Sequence, residues 1–140
     1  MLDIIRKKVK IVNDPKAIRN ISEKLYSLKF RKFMPSTIFT KSVSDIKNFL
    51  KIHKEIVIKP IHSHGGNDIH LLKKFKIDII KGLLKKHNHI MCQTYLPKII
   101  DGDKRVFIIN GKIAGAISRV PKKGSFLSNL SKGAKPKNTS

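Results

Sequence analysis

The chain has 140 residues, 40% of them apolar, and a formal net charge of +22 with a pI near 10.4. Length and apolar content fit one folded core and exclude a disordered chain, and the single cysteine, Cys92, excludes a disulfide framework or a cysteine-based zinc cluster. No apolar run approaches about 18 residues, and Met1 to Val12 is too charged for a signal-peptide core, so a soluble, cytoplasmic protein is expected.

The basic residues run from Arg6 to Lys137 as single lysines or pairs, and only five are arginine. Arginine is the better residue for bidentate phosphate or guanine contacts. Lysine and isoleucine abound together, as an AT-rich coding bias would produce. The expectation is a solvated lysine surface that binds nucleic acid non-specifically, at low salt.

In chain order, Val9 to Val12 reads as a short strand stopped by Asn13-Asp14-Pro15. Asp14 before Pro15 starts a helix whose apolar face is Ile18, Ile21, Leu25 and Leu28. Met34-Pro35-Ser36 opens an extended stretch, Thr37 to Thr40. Ser42 caps the next helix, with Asp45 three residues on, and Val43, Ile46, Phe49 and Leu50 form its buried stripe. Glu55 to Pro60 alternates as a strand that ends where proline removes a ladder donor. Gly65-Gly66 turn the chain, Asp68 to Leu72 returns as a strand, and a helix with Ile77, Ile80, Leu83 and Leu84 on one face follows.

Three more strands are predicted at Ile90 to Tyr95, Arg105 to Asn110 and Lys112 to Val120, the last two forming a hairpin across Asn110-Gly111. The sum is an α+β domain with an antiparallel sheet. After Pro121 the pattern dissolves into Lys, Gly, Ser and Asn, with no helix or strand expected to close the chain, as though it were a piece of something longer.

Several residues carry chemistry. Lys59 ends the Ile56-Val57-Ile58 strand on the face opposite Ile56 and Ile58 and precedes two glycines, an arrangement that delivers a cation to a phosphate. Gly65 and Gly66 can turn backbone N–H groups toward anionic oxygens, although a glycine pair is also an ordinary hairpin turn. Gln93 to Pro97, followed by Asp101-Gly102-Asp103-Lys104-Arg105-Val106, would set an adenine-sized slot beside a cationic site. Arg105 and Arg119 fall on the strands of one hairpin and suit bidentate recognition of carboxylate or phosphate, or surface ion pairing. Lys24 lies on the polar side of its helix, where a solvated lysine is the plain reading. His62 and His64, and His87 and His89, share i, i+2 spacing but lack a third ligand, so no metal ligand is assigned. Cys92 reads as a small buried hydrophobe.

Together these residues resemble one family. Asn13, Pro15 and Glu23-Lys24-Leu25, the Ile56 to Pro60 strand with its glycine loop, Gln93 to Pro97, Asp101 to Val106 and Arg119-Val120-Pro121 look like the ATP-grasp part of bacterial glutathione synthetase, over roughly residues 10 to 135. Tyr95-Leu96-Pro97 followed by Asp101-Gly102-Asp103-Lys104-Arg105 is the most specific part. The resemblance implies a partial ATP-grasp fold, with residues 1–13 the tail of a preceding substrate domain or linker and 14–140 an ATP-grasp domain incomplete at its C-terminal end. It implies an ATP-dependent ligase that joins glycine to γ-glutamylcysteine through an acyl phosphate, in a family of homo-oligomers. By motif position Lys24 and Lys59 would contact phosphates under the Gly65-Gly66 loop, and Gln93, Tyr95 and Leu96 would frame adenine. Asp103 and Arg105 would face the substrate and γ-phosphate, and Arg119 would stabilise the acyl phosphate.

The chain departs from the family pattern at His62-Ser63, where Asp-Gly is usual, at Leu127, where arginine is expected, and at Gly133-Ala134, a reduced double glycine. No Asp or Glu follows Asp103, so ligands for Mg²⁺ are expected beyond Ser140. The alternatives are a related ATP-grasp ligase acting on a protein terminus, which Gly124 to Leu130 also resembles, and a non-enzymatic basic protein that binds polyanions.

Overall fold

A computed structural model of the chain describes residues 2–5, 8–22, 24–63 and 65–138. The chain divides into two compact units, Met1–Ser36 and Thr37–Ser140. The expected passage at 13/14 falls inside the first, where Asp14 caps a helix.

In the first unit, helix α1 spans Leu2–Ile5 and α2 spans Pro15–Asn20. The Asp14 carboxylate accepts from the backbone N–H of Lys16 (2.7 Å) and Ala17 (3.2 Å), and Pro15 occupies the first turn, so this helix starts as expected. Two expectations fail here. Val9 to Val12 forms no strand, and among the described residues of this unit no strand is present for it to pair with. The long helix through Leu28 also breaks: Ile21 leaves helical geometry while its N–H still reaches Ala17 O, and a separate 3-10 helix runs from Tyr26 to Phe33. Asn20 and Ser22 are poor interior residues because their side chains compete for backbone partners. The supposed stripe is correspondingly exposed at Ile18, Ile21 and Leu25.

The second unit opens with β1 (Thr37–Thr40), α3 (Val43–His53), β2 (Ile56–Pro60), β3 (His70–Leu72), α4 (Ile77–His87) and β4 (Ile90–Thr94). Ser42 Oγ accepts from the Asp45 N–H at 3.2 Å, the cap expected from sequence. The strands form one antiparallel sheet in the order β1-β4-β2-β3. Alternation along β2 sends Ile56, Ile58 and Pro60 to one face and Val57 and Lys59 to the other. The first face is sealed by α3 and α4. Ile46, Phe49 and Leu50 from α3 and Ile80 and Leu83 from α4 meet Ile56, Ile58, Leu72, Ile90 and Cys92 in a single core. Each fully buried aliphatic side chain stabilises the fold by about 1.5–3 kcal/mol relative to exposure.

The chain continues through a 3-10 turn, Pro97–Asp101, into β5 (Asp103–Ile109) and β6 (Lys112–Val120). Asn110 (φ 51°) and Gly111 (φ 74°) make the two-residue turn, both in the left-handed region that such hairpins demand. Two further corrections apply. The strands make two sheets, since β5 and β6 form a second one with order β5-β6-β7. And the chain does end on paired structure: a 3-10 turn at Leu130–Lys132 leads to β7 (Lys135–Asn138), which pairs antiparallel with β6. Its pattern is invisible in sequence because it is an exposed edge strand carrying Pro136, a residue tolerated only at such an edge. Among the described residues, no helix is long and apolar enough to cross a membrane.

Candidate functional site

The face of the first sheet opposite α3 and α4 carries the polar residues. The register aligns Thr37, Gln93 and Val57 in one row and Phe39, Met91 and Lys59 in the next. Lys59 Nζ donates to Gln93 Oε1 at 3.0 Å, and Gln93 Nε2 donates to Thr37 Oγ1 at 2.9 Å. An ammonium, an amide and a hydroxyl thus form a hydrogen-bonded line across three strands. Rigid strands hold all three, which fixes their spacing better than loops would.

From Lys59 the chain passes Pro60 into the glycine turn. Gly65 (φ 66°) and Gly66 (φ 75°) both adopt the left-handed conformation. A Cβ on Gly66 would stand 2.8 Å from Asn129 Oδ1, so a side chain there would push the Asn129 amide aside as well as strain the backbone. Lys132 Nζ donates to Asn67 Oδ1 at 3.0 Å on the same side. At the end of β4, the Tyr95 N–H donates to Glu55 O (3.0 Å) and its ring meets Phe126 edge-on at 6.3 Å between centroids. Leu96, next to it, is exposed.

On the second sheet Asp103 and Arg119 lie directly opposite each other. The Asp103 carboxylate takes the guanidinium in two hydrogen bonds, from Nε at 2.8 Å and from Nη2. This pairing holds the Arg119 pKa above its ordinary value, so the cation is permanent. Arg105, two residues along β5 from Asp103, shares that sheet face and is exposed. Lys24 belongs to the other compact unit, half-buried just ahead of the Tyr26–Phe33 turn.

The structure therefore joins Lys59 to Gln93, places Gly65 and Gly66 in the loop that follows that strand, and gathers Asp103, Arg105 and Arg119 on one face of the hairpin. Glu23 and His64 lie outside the described residues. Sequence reasoning took Thr37 only as a strand residue and Phe126 only as part of the Gly124–Leu130 segment, and assigned no role to Asn67 or Lys132. Their signal is long-range register and loop contact, which no local pattern encodes.

Among the described residues no three of His, Cys, Asp and Glu converge as a metal site. His87 instead joins Lys86 on the Asp68 carboxylate, each at 2.8 Å. Cys92 is fully buried on the helix-covered face, and burial pushes its thiol up to about 12.

The fold is that of the ATP-grasp proteins. The chain superposes on the ATP-grasp ligase PsnB with a TM-score of 0.63, covering 94% of this chain and 40% of that one at 19% identity. Within that class, residues 23–140 match the ATP-grasp domain of prokaryotic glutathione synthetase, and the chain belongs to that family. Glutathione synthetase of Prochlorococcus marinus subsp. pastoris is 36% identical over 139 residues, and that of Bradyrhizobium diazoefficiens 34% identical over 144. These alignments cover 96% and 99% of this chain and 45% of each relative, so the chain spans a little under half the length of the curated relatives it matches.

Proposed function

We propose that this chain forms the nucleotide-binding part of an ATP-dependent ligase that joins glycine to γ-glutamylcysteine through an acyl phosphate. The observation that carries the reading is the Lys59–Gln93–Thr37 line on the sheet face opposite α3 and α4, on a strand whose following loop carries two glycines at positive φ. A triphosphate needs a fixed cation and backbone N–H donors that approach without a Cβ, and this strand-to-turn junction offers both.

In this reading Lys59 contacts phosphate oxygens, the Gly65–Gly66 turn covers them, and Gln93, Tyr95 and Leu96 frame the adenine. Gln93 supplies amide hydrogen bonding to a base edge, and Tyr95 an apolar ring that Phe126 braces. Asp103 and Arg105 face the γ-phosphate and peptide carboxylate. Arg119, oriented by Asp103, stabilises charge on the acyl phosphate as a planar, permanent cation. Residues 1–13 then belong to the preceding substrate part or linker and 14–140 to the ATP-grasp part. The small-molecule partners are γ-glutamylcysteine and glycine, in a cytoplasmic homo-oligomer.

Among the described residues no cluster of carboxylates fits a Mg²⁺ site, and Asp103, the last Asp or Glu in the sequence, is engaged by Arg119. The chemistry asked of the chain's own residues is positioning and charge stabilisation.

The test is ATP affinity by calorimetry. Lys59→Ala is expected to weaken binding about tenfold or more, as removal of a charge-assisted hydrogen bond does. Absence of ATP binding by the unaltered chain, or an unchanged affinity in Lys59→Ala, overturns the reading.

A further inference from the structure

The turn that carries Gly65 and Gly66 is held from two sides. On one side Asp68 (φ 56°) ends the turn, and its carboxylate accepts hydrogen bonds from Lys86 Nζ and His87 Nε2 at the C-terminal end of α4. An ionised carboxylate has no proton to give, so His87 is the donor. This side ties the turn to a helix of the main core.

On the other side stands a knob formed after β6. The backbone N–H groups of Lys132 (2.9 Å) and Ala134 (3.3 Å) both reach Asn129 O, the Gly133 N–H reaches Leu130 O (3.0 Å), and Gly133 at φ 85° closes the turn. Ser128 and Ala134, at its two ends, are buried. Asn129, the cap of this 3-10 turn, and Lys132 both face Gly66: Asn129 Oδ1 fills the space a Cβ on Gly66 would need, and the Lys132 stem lies 3.5 Å from the same point. The Lys132 head then reaches past Gly66 to Asn67 Oδ1, bridging 65 positions of sequence. The knob's own hydrogen bonds give the seat its shape, and the contact with Asn67 ties that seat to the turn.

We infer that Lys132 is a positioning residue: through Asn67 it couples the glycine turn to the 129–132 knob, so that the two segments order as one unit. The consequence for nucleotide affinity rests on the function proposed above, whereas the coupling itself does not. A nucleotide that orders the turn also orders the knob, and a change at either Asn67 or Lys132 is felt at both.

Heteronuclear ¹⁵N–¹H NOE measurements on the 140-residue chain, without ligand and with ATP, test this. Without ligand, Lys132→Ala is expected to lower the NOE at Gly65, Gly66 and Asn67, and Asn67→Ala to lower it at 130–132. Lys132→Arg should restore most of the order, and amides of β4 should not change. With ATP, each alanine variant should weaken binding about two- to fivefold, the range for an exposed charged contact. The double variant should be no weaker than either single one, because both remove the same contact. Unchanged order at residues 65–67 in Lys132→Ala, or additive losses in the double variant, overturns the coupling. Loss of order in the ligand-free variants with no ATP binding by any form upholds the coupling and counts against the proposed function instead.

Discussion

The two sheets of the second unit draw on equally apolar strands but treat them differently. In the first, Ile56, Ile58, Ile90 and Cys92 are fully buried under α3 and α4. In the second, Val106, Phe107, Ile108, Ile109 and Ile113, around the tip of the β5–β6 hairpin, stand 49–75% exposed. These five residues include immediate neighbours on β5, so both faces of the hairpin tip are apolar. The contrast shows where the stability of these 140 residues resides: the first sheet owns its covering helices, while the hairpin is held by strand pairing, by its turn and by the Asp103–Arg119 contact at its base.

Ile58→Ala should sharpen the contrast most. It removes a side chain from the closed core and is expected to cost about 2–5 kcal/mol in urea unfolding, whereas Ile109→Ala should cost less than about 0.5 kcal/mol. Equal costs would mean that the hairpin tip is covered in solution. Next in size is Gly102→Ala, at the entrance to β5. Gly102 has φ 107° and ψ 157°, a region open essentially to glycine alone, and a Cβ there would stand 2.5 Å from Ser118 Oγ and 3.2 Å from Arg119 O. An expected loss of about 1–3 kcal/mol should appear as weaker pairing of β5 with β6, read by amide exchange, while the first sheet keeps its protection. The smallest effect belongs to Asp68. Lys86 and His87 hold its carboxyl below the ordinary value of 3.8. A depressed carboxyl pKa stabilises the fold above the unfolded value, and that contribution is lost as pH falls through the folded one. Urea midpoints should therefore drop more steeply below about pH 4 in the unaltered chain than in Asp68→Asn, and parallel curves would break the link between α4 and the glycine turn.

Much of the fold was legible because its signals are local. Asp14 and Ser42 are caps whose partners lie two or three residues away, Asn110-Gly111 is a turn by its own dihedrals, and the alternation of Ile56 to Pro60 is read directly as two faces. The break after Asn20 was missed because an apolar period can continue across a stretch that does not stay helical. The strand Lys135–Asn138 was missed because its pairing is dictated by the free edge of β6, with no alternation of its own. The site divides in the same way. Lys59, Gly65, Gly66 and Gln93 were chosen from their places on strands and turns, but the line from Lys59 through Gln93 to Thr37 depends on register between strands up to 56 positions apart. Asp103 and Arg119 were both chosen for contact with a ligand, and their contact with each other emerged only from the hairpin register.

Cys92 has one more use. It is the chain's only thiol, it lies in the central part of the closed sheet, and its high pKa leaves it almost wholly in the unreactive thiol form at neutral pH. A thiol-specific reagent can modify it only when the core between that sheet and α3 and α4 opens. The labelling rate is thus a clock for opening of that core, indifferent to fluctuations at the hairpin tip.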